Sequence, residues 1–148
     1  MIMDSKFHIL GSITVAAQTD QLNVIREFIA VCAADCKFDE QQINFIELAV
    51  DEICANIARH AKERQATKEI IVSVSIEDSQ FVVTIEDNAM PFNPLNVPSP
   101  NMVDYFRAYK SGGLGIHIVR TVMDNIIYTP SPTHVGYNAL TLRKQLPL

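Results

Sequence analysis

Three short stretches of this sequence carry side chains spaced as chemistry would need them. Glu52, Asn56 and His60 recur at i, i+4 and i+8, which aligns them along one face of a helix. A carboxylate one turn from an amide can act as a base beside a hard cation. Magnesium takes oxygen ligands, keeps several waters and is usually shared with substrate phosphates. Asp51 neighbours Glu52, roughly 100° around the same helix. A solvated polar face would present the same spacing with no chemistry in it, so the pattern alone leaves both readings open.

The second stretch runs from Asp87 through Asn88, Ala89, Met90, Pro91, Phe92 and Asn93 to Pro94. An alternating apolar segment ends there in a carboxylate and passes at once into a loop. A carboxylate in that position can accept a hydrogen bond from an amino group such as N6 of adenine. Asp and Asn also start turns for purely local reasons. The third stretch is Ser111, Gly112, Gly113, Leu114, Gly115 and Ile116, followed by an amphipathic helical pattern. Glycines ahead of a helix let phosphate approach the backbone, and free N–H groups at a helix start attract anions. The stretch is neither a Walker A loop nor G-x-G-x-x-G, and a flexible helix entry would look the same.

The elements that position these groups follow from periodicity. Phe7 to Thr14 is apolar and β-branched, a first strand. Thr19 or Asp20 is expected to cap a helix whose apolar positions are Leu22, Ile25, Phe28, Ile29 and Cys32. Lys37 and Phe38 break that pattern. Asp39 with Gln42 forms a capping-box-like start to a long helix, about Glu40 to Lys62, with Ile43, Ile46, Val50, Ile53 and Ile57 as its buried stripe. Glu69 to Ile76 and Phe81 to Glu86 read as strands joined by a hairpin at residues 77–80. Residues 88–113 hold Pro91, Pro94, Pro98, Pro100, Gly112 and Gly113 with weak periodicity, and so long a segment inside a compact domain is usually functional. A helix is expected over Gly115 to Met123, with Ile116, Val119, Val122 and Met123 buried. Two strands then close the chain, Asn125 to Thr129 and Tyr137 to Arg143, joined by a Pro130, Pro132 and Gly136 turn.

Strands and helices do not alternate strictly, which disfavours a doubly wound parallel sheet. An α+β, two-layer α/β sandwich fits better: one mixed, mostly antiparallel sheet with helices on one face. A length of 148 residues predicts one domain spanning 1–148. Hydrophobic residues at 48% and charged residues at 20% describe a packed globular chain rather than a disordered one. With 17 acidic and 12 basic residues the net charge is −5, and no basic run offers a nucleic-acid footprint. The longest apolar run, Phe28 to Ala34, falls far short of the ~20 residues that span a bilayer. Met1 to Leu10 lacks the basic and apolar regions of a signal peptide, and the three cysteines, Cys32, Cys36 and Cys54, contain no C-x-x-C pair. A reducing cytoplasm is the expected compartment. Cys32 and Cys36 share a helix face, but two ligands do not make a zinc site, so small core residues are expected.

The order of the three stretches carries more than any one of them. Asn56 on a helix, Asp87 at a strand end, a long loop, and Gly113 and Gly115 at a helix start resemble the N, G1 and G2 boxes of the GHKL ATP-binding superfamily. Its fold is the Bergerat α/β sandwich. Within it the chain resembles the stand-alone anti-sigma factor serine/threonine kinases of bacterial partner-switching modules. The carrying segments are ELAVDEICANIARHA (47–61), GLGIHIVRTVMD (113–124) and GYNALTLRK (136–144), and the likeness covers essentially the whole chain.

The resemblance implies roles. Asn56 would coordinate Mg2+ bridging the ATP phosphates. Glu52 would be the general base on the attacking serine hydroxyl. Asp87 would bind adenine N6, within a pocket including Ala89 and Phe92. Gly113, Leu114 and Gly115 would wrap the phosphates, and a lid of about 93–112 would close over ATP, with Lys110 or Arg107 reaching the γ-phosphate. His60 follows the site-facing series and either touches the site or is a supporting or surface residue, the latter being expected, and His117 is expected as a helix-surface group. The implied partners are a sigma factor or similar target and a STAS-type anti-anti-sigma protein that is phosphorylated, with no nucleic acid and no membrane. Dimers are common in that branch, which leaves a homodimer open. The alternative is a module that holds ATP or ADP without transferring phosphate.

One position departs from the family pattern. The G1 box reads D-x-G, and here the third position is Ala89. At positive φ an alanine costs on the order of 1 kcal/mol or more, and at negative φ it costs little.

Overall fold

The computed structural model describes residues 7–63, 68–89, 113–131 and 136–148, with backbone alone at Glu63, Gly113 and Leu114. The elements are β1 (Phe7–Ala16), a 3-10 turn (Thr19–Gln21), α1 (Leu22–Asp35), α2 (Glu40–Glu63), β2 (Glu69–Glu77), β3 (Gln80–Asp87), α3 (Gly113–Val122), β4 (Asn125–Thr129) and β5 (Asn138–Gln145). They form a five-stranded sheet in the order β1-β2-β3-β5-β4. The expectation of a mixed sheet sharpens here, because all four pairings among the described residues are antiparallel.

Alternation decides which face of the sheet is covered. On β2, Ile70, Val72 and Val74 are fully buried, while Ile71, Ser73 and Ser75 between them are only half-buried. The register lines up successive rows across the three central strands. Val74, Val83 and Leu142 form one row, Val72, Ile85 and Leu140 the next, and Ile70, Asp87 and Asn138 the last. The first two rows are wholly apolar and lie under the helices. The third ends in two polar residues, Asp87 and Asn138, both buried.

Each helix pays its apolar stripe into that core. On α1, Leu22, Ile25, Ile29 and Cys32 are buried, with Phe28 half-buried beside them. On α2 the buried line is Ile46, Ala49, Val50, Ile53, Cys54, Ala58 and Ala61. The predicted flanks Ile43 and Ile57 pack only partly against the core. Ile116, Val119, Val122 and Met123 are buried as their spacing predicts. Cys32 and Cys54 are buried, Cys36 is half-buried, and all three are free thiols.

The helix ends show which local signals operate. Asp39 Oδ1 accepts from the Gln42 N–H at 2.8 Å, while the return bond from Asp39 N to Gln42 Oε1 is long at 3.5 Å, so the capping box works mainly in one direction. The expectation that Thr19 or Asp20 caps α1 is not met. Both lie inside the 3-10 turn, whose N-cap is Gln18, and neither that turn nor α1 has a side-chain cap. The turn feeds directly into α1, so its backbone does what a cap would otherwise do. α1 closes with Lys37 in the left-handed region at φ 69. Phe38 N donates to Ala33 O and Lys37 N to Ala34 O, a Schellman closure. It swings the Phe38 ring edge-on to Phe81, centroids 5.4 Å apart. The β2–β3 hairpin turns through Asp78 and Ser79, both at positive φ, as a type I′ turn requires.

Candidate functional site

α2 carries Glu52 and Asn56 one turn apart, and α3 crosses that face at Gly115. The two helices meet so closely that a Cβ on Gly115 would fall inside the Glu52 side chain, on Cγ, Cδ and Oε1. Gly115 is therefore glycine for a reason of space: the carboxyl occupies the place a side chain would take. Seated there, Glu52 Oε1 is a buried oxygen without a hydrogen-bond partner among the described residues. Burial raises the Glu52 pKa above the usual carboxylate range, and the Asp51 charge adds to the rise, while the Arg59 charge and a hydrogen bond with Asn56 oppose it. An orphaned buried acceptor is costly in a resting protein. It suits a group whose partner arrives with substrate.

Asp51 is occupied elsewhere. Arg26 Nη1 on α1 donates to Asp51 Oδ1 at 2.6 Å, which braces α1 against α2 and separates Asp51 from the role of base. Asn56 Oδ1 accepts from Arg59 Nη2. A cationic donor thus sits on the oxygen expected from the sequence to meet magnesium. Sequence reasoning missed Arg59, although its i+3 spacing from Asn56 is a readable signal. His60 is half-buried on the same helix, and His117 is half-buried on α3.

Asp87 ends β3 at 8% exposure. Its Oδ1 accepts from Ala89 N at 3.0 Å and from Asn138 Nδ2 at 3.2 Å. Burial raises the Asp87 pKa, and the bonds from Asn138 and Ala89 hold it down. The next residue is tied as well, because Asn88 Oδ1 accepts from Glu69 N at 3.0 Å, and Tyr137 Oη donates to Glu69 Oε1. Ala89 does not occupy the left-handed region. Among the described non-glycine residues only Lys37, Asp78 and Ser79 have positive φ, so the methyl at this position carries no backbone strain. Cys54 is buried on α2. Its thiol pKa is pushed up by burial first and then by the charges of Asp51 and Asp87.

Asn138 is the other residue that sequence reasoning missed. It is 1% exposed, stands directly opposite Asp87 in the β3–β5 register, and bonds the Ala89 carbonyl at 2.9 Å as well as Asp87. The signal was present as a polar residue two places before Leu140 and four before Leu142, on what is otherwise an apolar face. Gly113 and Leu114 open α3 by their backbone. Phe92, Arg107, Lys110, Ser111, Gly112 and the expected lid of about 93–112 lie outside the described residues, as do residues 132–135 of the expected turn.

The structure thus brings Glu52, Asn56 and Gly115 together on one side, and Asp87 and Ala89 together on the other. No helix among the described residues is long and apolar enough to cross a membrane.

A helix-borne carboxylate and amide, a buried strand-end aspartate and a glycine-opened helix on an antiparallel sheet define a class. The histidine kinase-like ATPase domain matches residues 15–144, and the chain belongs to that family. Among its relatives are proteins named serine-protein kinase RsbW. The one from Bacillus subtilis (strain 168) is 22% identical over 117 residues, covering 76% of this chain and 72% of the relative. Those from Bacillus cereus (strain AH820) and Bacillus thuringiensis (strain Al Hakam) are 24% identical over 116 and 121 residues, with the same coverage.

Proposed function

We propose that this chain is an ATP- and Mg2+-dependent protein serine/threonine kinase of the partner-switching type. It would bind a sigma factor or similar regulatory target and phosphorylate a STAS-type antagonist of that binding. The observation that carries the reading is the Glu52 carboxyl, half-buried with one buried, unpartnered oxygen among the described residues, lying in the space that Gly115 leaves open and one turn from Asn56. Its raised pKa moves it toward the range where a base works best near neutrality. The similarity to serine-protein kinases supports the same reading.

The residues divide the task. Asn56 would hold the metal through its amide oxygen. Asp87 would accept from the adenine amino group. Gly113 and Gly115 would let the α3 backbone approach the phosphates. Glu52 would take the proton from the attacking hydroxyl. When bound, Mg-ATP would supply the γ-phosphoryl group, with ADP as the leaving group, and Mg2+ would offset the negative charge on the phosphates. Phosphoryl transfer is mostly positioning and electrostatics, so a site with one base and one metal-binding amide is sufficient.

Incubation with γ-labelled ATP and a STAS-domain partner tests this. Label on a serine or threonine of the partner is the expected result. ATP binding with no label on any partner would favour a nucleotide-holding module that switches partners without chemistry.

A further inference from the structure

We propose that Asn138 sets nucleobase choice in this chain. By donating to Asp87 Oδ1 and to the Ala89 carbonyl, it fixes Asp87 as an acceptor with Oδ2 turned to the base, which selects an adenine amino group over a guanine carbonyl. The inference rests on the adenine-binding role proposed above for Asp87.

The orientation of the Asn138 amide is determined by its surroundings. Its Oδ1 accepts from Ser131 N at 2.9 Å, and its Nδ2 donates to Ala89 O at 2.9 Å and to Asp87 Oδ1 at 3.2 Å. Turning the amide over would set its oxygen against a carboxylate and a carbonyl, and its two N–H donors against a third donor. Only one arrangement satisfies all three neighbours, and at 1% exposure a lost bond leaves a buried polar group unpaired. Asn138 therefore ties together three segments: the end of β3, the loop after it, and the stretch between β4 and β5.

The consequence falls on Asp87. Both of its donors, Ala89 N and Asn138 Nδ2, land on Oδ1. Among the described residues none donates to Oδ2, so that oxygen is the one left for an incoming donor. Adenine presents an N6 amino donor at the edge where guanine presents the O6 acceptor. An ionised carboxylate accepts only, whereas a protonated one also donates. Burial favours the protonated form, and the bond from Asn138 is the largest of the effects that oppose it. Remove that bond, and Asp87 is both freer to rotate and readier to carry a proton that could serve guanine O6. Asn138 touches no substrate atom in this scheme. It is a positioning residue acting through Asp87.

The test compares two nearly isosteric variants in the full chain, Asn138→Thr and Asn138→Val. Both are β-branched and suit a strand, and they differ in one hydroxyl donor. Dissociation constants for fluorescent ATP and GTP analogues in Mg2+ give the ATP-to-GTP preference of each. That ratio does not depend on the folded fraction, so a merely structural role leaves it unmoved. The wild type is expected to prefer ATP, and Asn138→Thr to keep most of that preference. Asn138→Val is expected to bind ATP on the order of tenfold more weakly, the scale of one hydrogen bond to a charged group, with GTP affinity unchanged or improved. Equal preference in the Thr and Val variants, beside a selective wild type, would overturn the role of Asn138 and leave the kinase reading standing. Wild-type protein that binds neither nucleotide would overturn both.

Discussion

Replacing Gly115 with alanine separates stability from chemistry in this fold, because the same methyl acts on both with opposite sign. Gly115 lies in the first turn of α3, where alanine is favoured over glycine by at most the ~1 kcal/mol of a helix interior. The new Cβ would overlap Glu52 Cγ, Cδ and Oε1. The obstructing atoms are the far end of a flexible side chain, so the carboxyl can swing out toward water. Doing so also relieves the unpartnered Oε1, a buried acceptor whose desolvation costs about 1–3 kcal/mol. If Glu52 stayed in place, overpacking would instead cost about 1–3 kcal/mol. The first outcome is favoured, since displacement removes a penalty rather than creating one. The apo protein should then melt no lower than wild type, and up to a few degrees higher on the scale of ~2–4 °C per kcal/mol for a domain of this size. Phosphoryl transfer to a STAS partner should fall on the order of 10²-fold or more, because the base no longer reaches the hydroxyl. Differential scanning fluorimetry and single-turnover transfer at saturating Mg-ATP read the two effects apart. Transfer at the wild-type rate from a variant of normal stability would refute the claim that Gly115 exists to seat Glu52 as the base.

Other residues yield sharper single tests. Asn56→Ala should abolish Mg2+-dependent ATP binding while leaving the circular dichroism spectrum unchanged, and calorimetry with equal affinity in both proteins would remove Asn56 from the metal. Glu52→Gln should keep ATP binding and lose most transfer. The same substitution should raise apo stability at neutral pH. The Glu52 pKa is higher folded than unfolded, so the folded state binds the extra proton and its stability falls as pH rises from the unfolded value through the folded one. Melting from pH 4 to pH 8 in chelator should show the advantage of glutamine shrinking as the pH drops, and a constant difference would contradict the burial argument. Ala89→Gly should not tighten ATP binding, since Ala89 lies outside the positive-φ region; it should cost ~0.4–1 kcal/mol of stability through unfolded-state entropy. A several-fold gain in ATP affinity would reverse that reading.

Much of this architecture is local and could be read from the chain. The stripes of α1 and α3, the start of α2 at Asp39, and the β2–β3 hairpin each follow from interactions within a few residues. The helical spacing of Glu52 and Asn56 is of the same kind, since i and i+4 share a face in any helix. The clearest miss at this level is the start of α1. Thr19 and Asp20 are good caps in isolation, and a 3-10 turn displaced them because nothing in their own chemistry reports what the preceding strand does. Ala89 shows another limit of local reading: its residue type departs from the family pattern, but whether that carries strain depended on a backbone angle that the sequence does not state.

The amino-acid sequence by itself determined the periodicities, the turn chemistry and the order of the candidate residues, because those depend on neighbours at fixed separation along one chain. Tertiary structure decided which of them meet. Asn138 faces Asp87 only because the β3–β5 register sets them opposite each other across 51 residues of chain, and a slip of one residue would turn Asn138 to the other face of the sheet. Glu52 Oε1 is buried without a partner among the described residues where α3 crosses α2 at a glycine, so part of the desolvation that raises the Glu52 pKa comes from packing between helices and not from its own helix. Register and crossing angle are settled by the burial of whole faces at once, which is why no single stretch of the sequence contains them.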